Sequence, residues 1–434
     1  MMSAPKSVSR NVAINAAGNF VPPVAAFITS PLLAHALGVE GRGLVSAAQA
    51  PLLLFVAAAT FGLPEATTYL VARFPKLLGL ITRRVVVFVV LTGVLSLIAL
   101  LGLRGPLSGG DPRVADLLAI SAVALIPTLL LSIVRAAAIG QEAWTLVAVE
   151  RSLSSLLRLG AIVLLIQLDS LTATHAVYIN AWAPLTGAVV YCLLLFRRGS
   201  VKPATVPSEL AYTQIARYGS LVWIGSISGV FLARLDQTLM VPLSSVYELG
   251  LYAVAVSVAE IPLLVNNTVR EVMFAADARS NNNVRLTYAA RVSGALCLTF
   301  AGLMAASIFW WFPLLFGEAF RPAITLTLLL LLATAVGPPG SVAGAALAAR
   351  GRPGLRSLAL LGAFAVNLTL ILLLVPAYGA LGAGIATLAG NLVSSNINIL
   401  MASRLYSLRL SDFYILRPAD GRAFIGNVRS LLRR

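Results

Sequence analysis

The fold is decided by Tyr218–Val241, which reads YGSLVWIGSISGVFLARLDQTLMV. This stretch is long enough to cross a bilayer, because about 20 apolar residues at a rise of 1.5 Å span a hydrocarbon core roughly 30 Å thick. It nevertheless contains Arg234 and Asp236. A charged side chain at the bilayer centre costs about 2.5–3.5 kcal/mol on insertion scales, so such residues generally face a partner or a hydrated cavity.

The composition of the whole chain is also typical of a membrane protein. Its 434 residues are 59% hydrophobic and 11% charged, with a mean hydropathy of +0.91. Soluble domains are nearer to ~45–50% apolar and ~25% charged. We therefore predict an all-α, polytopic membrane protein, since a lipid-exposed backbone must satisfy its own hydrogen bonds. The net charge of +16 is assigned to cytoplasmic loops rather than to nucleic acid binding, because no soluble domain is present to carry it.

Apolar runs of about 18 residues or more predict about twelve transmembrane helices. Their predicted limits are 11–36, 44–72, 84–103, 114–139, 143–168, 175–196, 213–241, 247–273, 286–311, 322–348, 356–376 and 380–404. If the N-terminus is inside, the inner loops and helix ends hold 25 of the 32 Lys and Arg residues. The outer loops hold four, including Arg42, and three lie within helices. Because cytoplasmic loops are enriched in these residues, both termini are predicted to be cytoplasmic.

Residues 197–212 contain charges and two prolines, and they are predicted to form a cytoplasmic linker. The linker separates a six-helix bundle at 1–196 from a second six-helix bundle at 213–405. A basic cytoplasmic tail follows at 406–434, where Phe424, Val428 and Leu431 have helical spacing. This tail fits either an amphipathic helix on the anionic inner leaflet or a frayed basic end.

The two halves share a short motif. Gly43–Ala48 reads GLVSAA after the first predicted helix, and Gly250–Ala255 reads GLYAVA after the seventh. An even number of helices in each half gives the halves the same orientation in the membrane. They are therefore predicted to be parallel repeats about an axis along the membrane normal.

The sequence contains no enzyme signature, and we expect neither catalysis, nor a cofactor, nor a bound metal. There is no nucleotide-binding glycine loop, and the two cysteines and two histidines form no cluster. The polar residues inside the predicted helices are more informative. The fifth helix carries Arg151, Ser154, Ser155 and Arg158, whose spacing places them on one face. Arg158 lies about 22 Å along this helix, which predicts one wall of a hydrated cavity for an anionic group.

The alternative for these arginines is a buried ion pair, with Glu150 or Glu260 as the partner. Arg234 is also a candidate for binding the anionic group, or it snorkels to the outer interface. Asp236 is too short to snorkel and is a candidate for ion coupling. Glu260 precedes Pro262 near mid-membrane and is a second ion-coupling candidate, since burial raises the pKa of a carboxylate. Glu65 is a third, with pairing to Arg73 as its alternative.

Four motifs stand at the ends of the predicted helices: LGVEGRG at 37–43, RLD at 234–236, ELGLY at 248–252 and PAYGALGA at 376–383. With the twelve helices, they resemble the polysaccharide transporter, or oligosaccharide-lipid flippase, family, of which the O-antigen flippases are examples. That family belongs to the multidrug/oligosaccharidyl-lipid/polysaccharide exporter superfamily. The resemblance covers nearly the whole chain. It implies that undecaprenyl-pyrophosphate-linked sugars are moved between leaflets by alternating access.

The predicted function is therefore export of a lipid-linked oligosaccharide across the bacterial cytoplasmic membrane, for cell-surface polysaccharide or lipopolysaccharide biosynthesis. The expected partners are this cargo, membrane lipids, a coupling H⁺ or Na⁺, and a polysaccharide polymerase with glycosyltransferases. The alternatives are a cation-coupled multidrug exporter on the same fold, a lipid II flippase, or a non-transporting membrane component of a polysaccharide-assembly complex.

Overall fold

The computed structural model describes residues 5–191, 211–277, 281–418 and 420. In these residues the chain is helical and contains no β-strand, which confirms the all-α prediction. The helices are α1 Pro5–Thr60, α2 Leu63–Arg73, α3 Leu78–Gly102, α4 Arg104–Leu107, α5 Pro112–Ala122, α6 Leu125–Gly140, α7 Trp144–Gln167, α8 Ala173–Thr186, α9 Tyr212–Leu243, α10 Val246–Ala259, α11 Ile261–Asp277, α12 Asn283–Phe316, α13 Ala323–Val336, α14 Pro338–Ala349 and α15 Pro353–Tyr406. Most of the predicted linker, at 197–210, and the predicted tail helix beyond residue 420 lie outside the described residues.

Seven helical segments in the described parts of the chain are long and apolar enough to cross a membrane. They are Val21–Thr60, Pro75–Gly102, Pro112–Gly140, Val246–Leu264, Asn283–Phe316, Ala323–Ala349 and Pro353–Tyr406. The chain is thus a multi-pass membrane protein, as its composition predicts. The predicted helices coincide with observed helical segments, except that 44–72 is divided between the second half of α1 and α2, and 192–196 of the sixth lie outside the described residues.

The longest helices change direction at single glycines. With 54 residues, α15 would extend about 80 Å if it were straight, far more than a bilayer core. It breaks at Gly379, whose φ of 54° is accessible to glycine at little cost. Across this break, a Cβ on Gly382 would lie only 2.4 Å from the carbonyl oxygen of Leu374, so the chain reverses direction there.

The equivalent break in α1 is at Gly38, where φ is 66°. It falls between the first and second predicted helices. The predicted outer loop at 37–43 is therefore mostly helical, and Arg42 lies in a helix rather than in a loop. Gly38, in the left-handed conformation, provides the turn for which a loop of several residues was predicted.

Two predicted helices are interrupted beside an acid and a proline. The second breaks at Phe61 and Gly62, before Pro64 and Glu65, and the eighth breaks at Glu260, before Pro262. Proline lacks an N–H group and fits the first turn of the helix that follows each break.

The chain forms two compact units. Unit 1 comprises Met1–Val254 and Leu315–Ala319, and unit 2 comprises Ala255–Leu314 and Phe320–Arg434. In unit 1, α1 packs on α3, α5, α7, α8 and α9 around a core that includes Leu33, Val45, Ile162 and Val177. In unit 2, α14 packs on α11 and α15, and the core includes Leu286, Val342, Ile399 and Phe413.

The repeated motif makes a reciprocal contact inside unit 1. A Cβ on Gly43 would lie 2.0 Å from the carbonyl oxygen of Val246, and a Cβ on Gly250 would lie 2.0 Å from that of Val39. The same number of residues separates Gly43 from Gly250 and Val39 from Val246. The equivalent positions of the predicted repeat therefore pack against each other in the same way.

Candidate functional site

Helix α7 carries four of the predicted binding residues, and its buried acid is already paired. The guanidinium of Arg135 donates two hydrogen bonds to Glu150, from Nε at 2.9 Å and Nη2 at 2.8 Å. The hydroxyl of Tyr191 donates a third, at 3.3 Å. Glu150 has no solvent exposure. This carboxylate was considered as a partner for Arg151 or Arg158, but it is bound by Arg135 on α6.

The two serines of the predicted site are buried in unit 1. Ser154 Oγ donates to the carbonyl oxygen of Pro184 on α8 at 3.2 Å. A Cβ on Gly187 would lie 2.3 Å from the same Oγ, so the packing here is close. Ser155 Oγ donates to the carbonyl of Arg151, one turn earlier, at 2.8 Å. Both hydroxyls are therefore satisfied by their own unit, and a role in ligand binding stays a prediction.

Arg158 has a different environment. Its side chain is half-buried, its Nε is buried, and no group in the described residues accepts a hydrogen bond from that atom. It also forms no ion pair with a described residue of its own unit, which excludes pairing of Arg158 with Glu150. Arg151, two turns earlier on the same face of α7, is half-buried as well. A cation at this depth without a carboxylate can accept an anion from outside the protein.

Arg42 is absent from the site residues predicted from the sequence. Its Nη1 donates to Ser46 Oγ at 3.2 Å, and its Nε is buried and has no acceptor among the described residues. The spacing of Arg42 and Ser46 by one helical turn was the only hint in the sequence, and it is weak. The break at Gly38 decides which way Arg42 points.

Arg234 and Asp236 lie near the end of α9. Asp236 is 4% exposed and accepts a hydrogen bond from the hydroxyl of Tyr252 on α10 and another from the backbone N–H of Gln237 at 2.7 Å. Arg234 is half-buried, and its carbonyl accepts a hydrogen bond from Thr238 at 3.0 Å. The carboxylate thus joins α9 to α10, while the proposed roles of both residues in transport stay predictions.

The other two candidate acids lie at helix breaks. Glu65 is exposed in the first turn of α2, where a negative charge is favourable. It forms no ion pair with a described residue, because Arg73 donates to the Tyr69 hydroxyl instead, at 2.9 Å. Glu260 is exposed between α10 and α11. Their predicted role in ion coupling is not decided by these positions.

With this arrangement established, the chain can be compared with known proteins. The sequence model of one family, described as polysaccharide biosynthesis protein, matches residues 8–274. The chain belongs to this family. The matched region contains Arg42, Arg151, Arg158, Arg234 and Asp236. A comparison with curated protein sequences gives no match.

Solved structures place this polysaccharide biosynthesis family member in a known transporter fold. The lipid II flippase MurJ, in an inward closed conformation, has a TM-score of 0.73 and 11% identity, covering 92% of this chain and 89% of that chain. An inward-facing multidrug resistance MATE family transporter of the MOP superfamily has a TM-score of 0.71 and 14% identity, covering 90% and 94%. A MOP superfamily transporter from Pyrococcus furiosus, whose binding pocket has reversed polarity, has a TM-score of 0.55 and 14% identity, covering 93% and 96%. The resemblance to the exporter superfamily is therefore confirmed at the level of fold.

Proposed function

We propose that the protein is a flippase that moves an undecaprenyl-pyrophosphate-linked oligosaccharide across the bacterial cytoplasmic membrane. Membership of a polysaccharide biosynthesis family and a fold shared with transporters support export of a cell-surface precursor. The observation that carries the proposal is Arg158, a cation deep along a predicted membrane helix that lacks any acceptor in the described residues. A diphosphate supplies the negative charge that such a site needs.

In this mechanism, both termini are cytoplasmic and the diphosphate enters from the cytoplasmic side. Arg151 and Arg158 hold it, with Ser154 and Ser155 beside them on α7. Arg234 also contacts the head group, near the outer end of α9. Alternating access then moves the head group while the isoprenoid chain stays in the bilayer. Asp236, Glu260 and Glu65 are the candidates for coupling a proton or cation to this movement.

The test is complementation in a strain that lacks the gene. Wild-type protein should restore surface polysaccharide, and the Arg158→Ala variant should not, while the lipid-linked precursor accumulates on the cytoplasmic side. Arg104→Ala is the matched control, because Arg104 is an exposed arginine without an ion pair to any described residue. Normal surface polysaccharide with Arg158→Ala would contradict the role of this arginine.

A cation-coupled multidrug exporter is the second candidate, since MATE multidrug transporters share the fold. A binding site for cationic drugs would be expected to contain carboxylates rather than an arginine such as Arg158. Resistance of the same strain to toxic dyes, measured with and without the gene, distinguishes this function from the flippase. A lipid II flippase is distinguished by accumulation of cell-wall precursor in the strain that lacks the gene. A non-transporting assembly component is distinguished by the absence of flipping in proteoliposomes that contain the purified protein.

A further inference from the structure

The chain folds back along α15 after that helix ends. Ser407 adopts the left-handed conformation, with a φ of 54°, and terminates the helix. Further along, the hydroxyl of Tyr414 donates a hydrogen bond to Asn396 Oδ1 at 3.2 Å. Asn396 precedes the last residue of α15, Tyr406, by about 15 Å along the helix axis. The Tyr414 hydroxyl is therefore level with the last turns of a helix that is long and apolar enough to cross a membrane.

Unit 2 holds one side of the C-terminal segment, which comprises residues 407–418 and 420. Arg291 on α12 donates to the carbonyl of Asp412 at 2.7 Å and to both carboxylate oxygens of Asp420, at 2.7 and 2.8 Å. Phe413 has no solvent exposure and lies in the core of the unit. These contacts fix which side of the segment faces the protein and which side faces away from it.

Large apolar side chains project from the C-terminal segment away from this core. Four of them are between 47% and 62% exposed: Leu410, Tyr414, Ile415 and Leu416. On α15, Leu400 lies one turn after Asn396, the partner of Tyr414, and it is 40% exposed as well. Such a cluster is unfavourable in water, whereas the boundary between lipid head groups and acyl chains covers it. The apolar side of the segment thus lies beside a side chain of α15 that a bilayer would also cover.

The charges that accompany these apolar side chains are positive. Arg404 and Arg409 are exposed, and neither forms an ion pair with a residue that the structure describes. The two acids of the segment are engaged, since Asp412 accepts from Arg417 and Asp420 is bound by α12. Apolar residues flanked by cations are typical of segments that lie in the interface of an anionic leaflet.

We propose that the C-terminal segment is a binding site for anionic phospholipid. Ile415 and Leu416 enter the boundary with the acyl chains, and Tyr414 lies beside them. Arg404 and Arg409 bind the phosphates of the head groups. A soluble protein is a poorer occupant, because it could not cover apolar side chains beside a membrane-spanning helix without displacing lipid. The surface is independent of the cargo and of the proposed flipping.

Fluorescence quenching in lipid nanodiscs tests this position with the full-length protein. An NBD label is attached to Ile415→Cys or Leu416→Cys in a Cys192→Ser background, and Asn281→Cys is the matched control because Asn281 is exposed just before α12. Cys297 is buried, and the parent Cys192→Ser protein checks that it stays unlabelled. Phosphatidylcholine with a doxyl group on its acyl chain should quench the label at 415 or 416, whose emission should shift to shorter wavelength. The label at 281 should keep the emission that it has in water.

The charge of the lipid is tested with the same label. Doxyl-labelled phosphatidylglycerol is compared with doxyl-labelled phosphatidylcholine, and the ratio of quenching gives the relative binding constant of the anionic lipid. Arg404→Gln and Arg409→Gln should each lower this constant about five-fold, the equivalent of about 1 kcal/mol for one arginine near an anionic surface. Arg104→Gln, at an exposed arginine of unit 1, should leave it unchanged. Thermal unfolding shows that each variant is folded, and Leu416→Cys replaces Ile415→Cys if the latter does not fold.

Equal quenching of the labels at residues 281, 415 and 416 would overturn the inference, and it is the result expected if a soluble protein rather than lipid covers the segment. A relative binding constant that is unchanged in both arginine variants would overturn it as well, because lipid would then lie on the segment without recognition of its charge.

Discussion

Gly250 lies so close to Val39 that any added side-chain atom would collide with the Val39 carbonyl oxygen, 2.0 Å away, and Gly43 has the same relation to Val246. Backbone atoms of two helical segments therefore touch directly at both points. A side chain at either glycine would push these segments apart, because a backbone carbonyl cannot move aside as a flexible side chain can.

Replacement of either glycine by alanine should therefore destabilise the protein. We expect Gly43→Ala and Gly250→Ala each to cost about 1–3 kcal/mol, the usual range for overpacking. Gly160→Ala on α7 is the control, since nothing lies within 4 Å of its added Cβ. That variant should be neutral or slightly more stable, because alanine favours helix. Thermal unfolding of the purified protein in detergent measures all three, and equal midpoints would contradict the reciprocal contact.

Arg135 on α6 and Arg158 on α7 should respond in opposite ways to removal of their charge. Arg135→Met leaves Glu150 buried without its cation, which typically costs about 3–5 kcal/mol. Arg158→Met removes a buried charge that has no carboxylate partner among the described residues, so stability should be unchanged or higher. The measurement is the unfolding midpoint of each variant beside the wild type. A large loss of stability in Arg158→Met would show that this arginine is structural.

The hydrogen bond between Tyr252 and Asp236 is expected to hold α10 against α9. Tyr252→Phe removes a donor to a buried carboxylate and should cost about 1–3 kcal/mol. Asp236→Asn keeps an acceptor for Tyr252, so its stability should be closer to that of the wild type. The same variant tests ion coupling through the dependence of export on the proton or sodium gradient. Full gradient dependence in Asp236→Asn would remove Asp236 from the coupling candidates.

Acidity should release the segment that follows α15. Arg291 donates to both oxygens of Asp420, at 2.7 and 2.8 Å, and holds the pKa of that carboxyl below its ordinary value. A depressed folded pKa means that the stabilisation is complete above the unfolded value of about 3.9 and is lost as pH falls through the folded value. The protection factors of residues 407–418, which correct for the intrinsic pH dependence of amide exchange, should therefore be high at pH 7 and fall as the pH drops below the folded pKa of Asp420.

Asp420→Asn tests the same contact without a change of pH. It should speed exchange of residues 407–418 at pH 7, because it leaves Arg291, which is 4% exposed, without its carboxylate. Asp169→Asn is the control, since Asp169 is exposed and has no ion pair to a described residue. Slow exchange in Asp420→Asn would mean that the other contacts of the segment, including buried Phe413 and the hydrogen bond from Arg291 to the carbonyl of Asp412, hold it without this carboxylate.

Much of the fold could be predicted because hydrophobic transfer depends on local sequence. The cost of placing a residue in lipid depends on that residue alone, so each apolar segment can be recognised independently of the others. This cost explains the apolar run around Arg234, the predicted helical segments and the low charge content. The predicted helices 44–72 and 247–273 are each interrupted beside a proline, at Gly62 and at Glu260, because a missing N–H acts within one turn while hydropathy is averaged over the whole segment. The repeated motif at Gly43 and Gly250 was also visible, although its contact was not.

The site depended on tertiary structure. Each residue turns a helix by about 100°, so the direction of Arg42 could be known only once the Gly38 break had set the start of its helix. Glu150 could have paired with Arg151 or Arg158, and the packing of α6 on α7 gave it to Arg135 instead. The sequence by itself determined that the protein spans the membrane as helices and carries positive charge within them. Only the tertiary structure decided which of those charges are neutralised by a carboxylate, because charge pairing depends on distances between helices that the order of residues does not contain.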